Sequence, residues 1–198
     1  MRLKAQGICF DYDGKKPVLT EIDFSLESGE VAGIFAPSGF GKTTLAKILA
    51  GYLVPKAGSV TIEGAEGSSF PGYHPVQLIL QHPEKAVDPK WKMRKIMCEA
   101  AEPPVKLIKA LGIKKSWLDR WPTELSGGEL QRFCVLRVLN EKTKFLIADE
   151  MTSMLDAVTQ VQLWDAVLGY AKEHGIGVAV ISHDRALLER ICDRIVEL

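Results

Sequence analysis

The sequence has no apolar run approaching the roughly 18–20 residues that cross a bilayer, and Met1-Arg2-Leu3-Lys4 leads into no apolar signal-peptide region. Any role at a membrane is therefore expected to depend on another chain. Neither sign of charge is in excess: Lys plus Arg total 25, Asp plus Glu total 25, and the formal net charge is zero. Without a broad basic field a nucleic-acid partner or an anionic membrane surface is not expected, and without an apolar span neither is direct membrane insertion. Cysteine is sparse, with Cys9, Cys98, Cys134 and Cys192 far apart and no CxxC spacing of a zinc or redox site. Reduced thiols in a cytosolic protein fit that pattern. No repeat, low-complexity tract or linker interrupts the chain. Its 46% apolar and 25% charged residues are enough to bury a core, so residues 1–198 read as a single domain.

What the chain does have is a series of short apolar runs alternating with helical patterns. Val31–Phe35, Val76–Leu80, Lys144–Ala148 and Val178–Ile181 read as strands buried on both faces, as in a parallel sheet covered by helices. Arg2–Phe10, Ile22–Leu26 and Gly58–Ile62 lie close together, joined by turn-rich segments, and predict a small antiparallel sheet. Apolar residues at three and four spacing predict helices over Lys42–Leu53, Lys92–Ala101, Val105–Leu111, Gly128–Asn140, Asp156–Lys172 and Arg185–Cys192. Prolines cluster between Pro83 and Pro122, so the stretch from about Gln81 to Leu125 reads as a short helical insert. The class is α/β.

Three segments carry chemistry. Ala36-Pro37-Ser38-Gly39-Phe40-Gly41-Lys42-Thr43 follows a predicted strand and opens a predicted helix. Glycines there let successive backbone N–H groups turn inward around a phosphate, and the helix adds the positive end of its dipole. Lys42 is placed to reach the β- and γ-phosphates and the Thr43 hydroxyl to ligate Mg²⁺. Ala36 stands where this pattern ordinarily opens with Gly. Phe145–Glu150 is an apolar strand ending in two carboxylates, which a buried strand end tolerates only beside a cation or proton. With the phosphate-loop strand expected beside it, Asp149 would hold Mg²⁺ through water and Glu150 would polarise the attacking water. Leu125-Ser126-Gly127-Gly128-Glu129-Leu130-Gln131-Arg132 is a second loop opening a helix, with Ser126 as its cap and amides left uncovered by two glycines. One γ-phosphate can be shared by two helix N-termini only across a dimer.

In order and spacing these segments resemble an ATP-binding cassette (ABC) ATPase subunit, from Gln6 to Leu198. Ala36–Thr43 is similar to the Walker A loop, Leu125–Arg132 to the ABC signature and Phe145–Glu150 to the Walker B strand. The resemblance extends to Tyr12 as the aromatic that stacks on adenine, Gln81 as the Q-loop glutamine, Ser153–Asp156 as the D-loop and His183 as the switch histidine. Read singly, Tyr12 is equally a surface aromatic, and Gln81 and His183 are equally polar strand ends; their place in the set favours function. Met151 and Met154 depart from the family's usual Pro and Ala, changing loop stiffness or the dimer seam without removing a catalytic atom.

The resemblance implies a P-loop NTPase fold with a mixed or parallel core sheet, an N-terminal antiparallel β subdomain and a short α-helical insert carrying the signature. Residues 1–80 and 140–198 would form the ATP-binding core and 81–139 the Q-loop and insert. It implies ATP and Mg²⁺ as ligands. Ala36, Pro37, Ser38, Gly39, Phe40, Gly41, Lys42, Thr43 and Thr44 would cradle the triphosphate. Thr43, Gln81 and Asp149 would organise the metal, Glu150 would act on water, and His183 would secure the γ-phosphate. Ser126, Gly127 and Gly128 of a second nucleotide-binding subunit, identical or homologous, would close over it. Transmembrane permease subunits would hold the protein on the cytoplasmic face of the membrane. The sequence ends at Leu198, where family members usually continue with further strands and a helical tail, so it reads as either a minimal subunit or a shortened one; its 198 residues accommodate one cassette, and membrane-spanning and substrate-selecting parts are expected on other chains. Gln81–Pro89 and Ile181–Arg194 resemble the peptide and nickel importer branch. The competing class is a soluble ABC ATPase or nucleotide-gated regulatory module. Zero net charge and the lack of a second cassette weigh against the first, and retention of Glu150 weighs against a purely binding role.

Overall fold

The computed structural model describes residues 1–14, 16–37, 39–64 and 72–198. In chain order the strands are β1 (Arg2–Phe10), β2 (Leu19–Glu27), β3 (Val31–Phe35), β4 (Ala57–Glu63), β5 (Val76–Ile79), β6 (Phe145–Asp149), β7 (Gly177–Ser182) and β8 (Arg194–Glu197). The helices are α1 (Lys42–Leu49), α2 (Met93–Met97), α3 (Val105–Ala110), α4 (Gly127–Val138), α5 (Ala157–His174) and α6 (Arg185–Ile191), with short 3₁₀ turns between α1 and α4. The chain divides into two compact units, Met1–Leu78 with Lys144–Asp149 and Gly175–Leu198, and Ile79–Thr143 with Glu150–His174. Residues 150–174, expected with the nucleotide-binding core, thus group with the helical segment.

The first unit holds the sheets. β1 pairs antiparallel with β2 and β4, giving a three-stranded sheet of order β2-β1-β4, as expected. Leu3, Ala5, Ile8 and Phe10 of β1 are buried, so the alternation that defined the strand also defines its inward face. The second sheet has order β5-β6-β7-β3-β8, and the pairs β3 with β7, β3 with β8 and β6 with β7 are parallel. β6 and β7 are buried at every position, which explains their continuous apolar runs.

One expectation is corrected: β7 lies between β3 and β6, so the acidic strand is not beside the strand that leads into the phosphate loop. A strand apolar on both faces suits the sheet's centre, and β7 takes that place. The registers Phe35 with Ser182 and Asp149 with Ile181 nevertheless bring the carboxyl ends of β3, β7 and β6 to one edge. That edge is where open parallel sheets bind ligands. α1 packs against β6, and α6 packs against β3 and β7. The two sheets meet closely at Gly177, where a Cβ would lie 2.5 Å from the Glu27 carbonyl oxygen and 2.8 Å from Cδ1 of Phe145. β8 was not anticipated; it forms where Ala32–Phe35 of β3 offer a free edge to Arg194–Glu197.

In the second unit α4 is the buried helix, with Leu130, Phe133, Cys134, Val135 and Leu136 almost wholly covered. Trp117 packs its ring 6.4 Å from that of Phe133. Backbone N–H groups of Met93 and Arg94 donate to the carbonyls of Arg120 (3.0 Å) and Leu118 (2.8 Å), fixing the start of α2. α3 and α4 both pack against α5. The four cysteines are free thiols. Burial pushes Cys134 up to about 12, and burial followed by the neighbouring Asp193 charge pushes Cys192 to about 12, so both stay protonated and serve as packing groups.

Candidate functional site

The loop from Ala36 to Gly41 joins β3 to α1. Gly39 and Gly41 take left-handed φ values of +84° and +88°. At Gly41 a Cβ would also sit 2.8 Å from Cγ1 and 3.0 Å from the carbonyl oxygen of Val18, whereas at Gly39 nothing lies within 4 Å. Gly41→Ala is therefore expected to destabilise the protein by about 1–3 kcal/mol, and Gly39→Ala by less, since only its backbone conformation is penalised. Urea midpoints of the two variants check this order, and equal midpoints would contradict it.

Ala36 departs from the usual glycine without difficulty: it is fully buried and is not among the non-glycine residues with positive φ. Its carbonyl has a definite task. The Lys42 ammonium donates to the carbonyl oxygens of Ala36 (2.8 Å) and Pro37 (3.0 Å) and is 8% exposed, so the cation is held over the loop. Thr43 is exposed in the first turn of α1, while Thr44 is buried and shares a 3.0 Å hydrogen bond between its Oγ1 and the Tyr12 hydroxyl. Tyr12 packs edge-on against Phe10 at 5.0 Å and remains 59% exposed beside the helix that the loop opens. Ser38 lies outside the described residues. Pro37 and Phe40 are exposed.

At the same sheet edge Asp149 ends β6 with 1% exposure. His183 is exposed directly after β7, between buried Ser182 and Asp184, the cap of α6. Asp184 accepts from the Leu187 amide at 3.1 Å, and its own amide donates to Ser182 Oγ at 3.0 Å, a local arrangement that fixes the chain around His183. The structure thus brings the loop, Lys42, Thr43, Tyr12, Asp149 and His183 into one unit.

Gln81, Glu150 and the signature residues belong to the other unit. Ser126 caps α4, its Oγ accepting from the Glu129 amide (3.3 Å) while Glu129 Oε2 accepts from the Ser126 amide (2.9 Å). This reciprocal capping box leaves the amides of exposed Gly127 and half-buried Gly128 at the helix start. Leu155 crowds Gly128, whose Cβ would lie 3.0 Å from Leu155 Cδ2. Met154 beside it is 62% exposed. Asp156 caps α5, and the Thr159 amide at 3.0 Å holds its carboxyl below the ordinary range.

Glu150 is half-buried with φ +50°; among the described residues Glu21 is the other non-glycine residue with positive φ. Gln81 Nε2 donates to Ser153 Oγ at 3.2 Å, and Ser153 Oγ donates to the Glu150 carbonyl at 3.0 Å. Sequence reasoning gave Ser153 no individual role; a hydroxyl three residues after a strand-end carboxylate was the signal for the turn it closes. It also passed over Gln131, which is 2% exposed on α4 and donates through Nε2 to the Leu80 carbonyl at 3.3 Å, next to Gln81.

A parallel strand, a glycine-turned loop carrying a lysine, a helix, and a buried carboxylate at the same sheet edge define a P-loop nucleoside-triphosphatase. Residues 19–153 match the family described as ABC transporter, and the chain belongs to that family. It is an ATP-binding, ATP-hydrolysing cassette. Two proteins named nickel import ATP-binding protein NikE are similar to it. The one from Rhodospirillum rubrum is 31% identical over 92% of this chain and 73% of its own length. The one from Escherichia coli K12 is 32% identical over 93% and 76%. The solved dimer of the ATP-binding cassette MJ0796, bound to ADP and Pi, shares the fold with a TM-score of 0.83 and 21% identity, covering 99% of this chain and 94% of that one. Among the described residues, no helix is long and apolar enough to cross a membrane.

Proposed function

We propose that the loop from Ala36 to Thr44 binds the triphosphate of ATP with Mg²⁺, that Glu150 drives hydrolysis, and that the energy released moves cargo through permease subunits. The observation that carries the reading is the Lys42 ammonium, held over a loop whose glycines are left-handed, at the sheet edge where Asp149 ends. The donor set fits Mg²⁺: an exposed Thr43 hydroxyl and a buried Asp149 carboxylate are hard oxygens, and Mg²⁺ ordinarily takes one or two protein oxygens together with substrate phosphates. When bound, Mg²⁺ supplies charge neutralisation across the β- and γ-phosphates.

The residues divide the work. Amides of the loop and the first turn of α1 face the phosphates, and Lys42 adds a compact cation. Tyr12 offers its ring to adenine. Gln81 and His183 contribute polar contacts toward the γ-phosphate and its surroundings. Glu150 accepts the proton of the attacking water, which requires the carboxylate to be ionised. The amides of Gly127 and Gly128 at the start of α4 would meet the γ-phosphate of a second cassette and complete its site, for which a second copy is the simplest choice.

Permease partners docking on residues 81–139 would place the protein at the cytoplasmic face of a membrane. Nickel or a peptide is the cargo class, the nickel branch being supported by the names of the relatives. Sedimentation of Glu150→Gln with Mg-ATP tests the composite site: an ATP-dependent dimer is expected, and a monomer at every concentration would contradict it.

A further inference from the structure

The turn after Asp149 has a fixed side and an adjustable side. On the fixed side, Thr152 is 3% exposed, and its Oγ1 accepts from Trp164 Nε1 (3.2 Å) and Gln160 Nε2 (3.0 Å), both on α5. On the other side, the Glu150 carbonyl accepts from the Ser153 amide (3.2 Å) and the Ser153 hydroxyl (3.0 Å). That hydroxyl, its proton committed to Glu150, presents a lone pair to Gln81 Nε2 at 3.2 Å.

A glutamate at φ +50° is strained by about 1–3 kcal/mol and persists only where its surroundings hold it. Two hydrogen bonds from one residue to its carbonyl are such a hold. We infer that Ser153 is a positioning residue: one hydroxyl fixes the backbone bend that aims the Glu150 carboxylate and at the same time holds the Gln81 amide. A movement of Gln81 is thereby felt at the backbone of Glu150 through that hydroxyl. The inference rests on the proposed roles of Glu150 and Gln81.

The test compares Ser153→Ala and Ser153→Thr in the full chain. The Gln81 side-chain amide is followed by ¹⁵N NMR without nucleotide, its signals assigned by their loss in Gln81→Ala, and Mg-ATP hydrolysis is followed separately. In Ser153→Ala the Gln81 amide signals are expected to move and exchange faster with water. The saturating hydrolysis rate should fall about threefold to tenfold, the worth of one hydrogen bond, with the half-saturating ATP concentration unchanged. Ser153→Thr, which keeps the oxygen, should restore both. Unmoved Gln81 signals, or a Thr variant no better than Ala, would overturn the inference. Glu150→Gln separates the two levels: if it is inactive while Ser153→Ala keeps the full rate, only the positioning role fails. If Glu150→Gln keeps the full rate, the reading of the site fails with it.

Discussion

Replacing Glu150 by Gln is expected to lower ATP turnover by about 10²–10⁴, the usual contribution of a positioned general base, while ATP still binds. The substitution keeps the size of the side chain and leaves the backbone carbonyl to which Ser153 donates in place, so the turn closed by Ser153 and the half-buried setting persist. What it removes is the feature the hydrolytic step needs, a basic carboxylate directly after β6. Single-turnover hydrolysis and ATP titration on the same preparation check it. A variant with unaltered turnover would place the base elsewhere, and one that lost binding instead would make Glu150 a structural residue.

Asp149→Asn carries the second large effect. Asp149 is 1% exposed at the carboxyl end of β6, where a carboxylate is costly to bury unless a cation or a proton meets it. Asn keeps the shape but lacks the charge a divalent cation requires. ATP affinity in the presence of Mg²⁺ is expected to fall about 10- to 100-fold, the range of a lost charged interaction, with affinity in EDTA unchanged. Titrations with and without Mg²⁺ separate these arms. If Mg²⁺ strengthened binding to the variant as much as to the unaltered chain, Asp149 would not be a metal-linked residue.

The fold was legible where burial leaves a simple pattern. Phe145–Asp149 and Gly177–Ser182 are covered on both faces, so their runs are continuously apolar, and β1 alternates because only one face is covered. Strand order was not legible. Nothing local to β3 or β6 records that β7 lies between them, because neighbourhood in a parallel sheet is set by crossovers rather than by sequence proximity. α2 stops at Met97, short of the expected Ala101: Cys98 caps it and the Glu99 amide turns back to the Ile96 carbonyl, a local bond that periodicity does not contain.

The candidate site divides in the same way. Gly39, Gly41 and Lys42 announce themselves because the loop needs left-handed backbone and a cation at fixed spacing. Ala36 looked like a departure, and its ordinary backbone explains why a Cβ is accepted there. The strained φ of Glu150 and the bridge through Ser153 could not be read, as both arise from a turn whose anchors, Thr152 and Trp164, lie on either side of a helix start.

The most direct test of the account is calorimetric titration of Mg-ATP into the unaltered chain and into Lys42→Ala. Lys42 places a desolvated ammonium on the loop, so the unaltered chain should bind one ATP per chain and the variant about 10²-fold more weakly, as a lost charge-assisted contact demands. Equal affinity in the two proteins, or no saturable binding by the unaltered chain, would contradict the assignment of this loop as the nucleotide site.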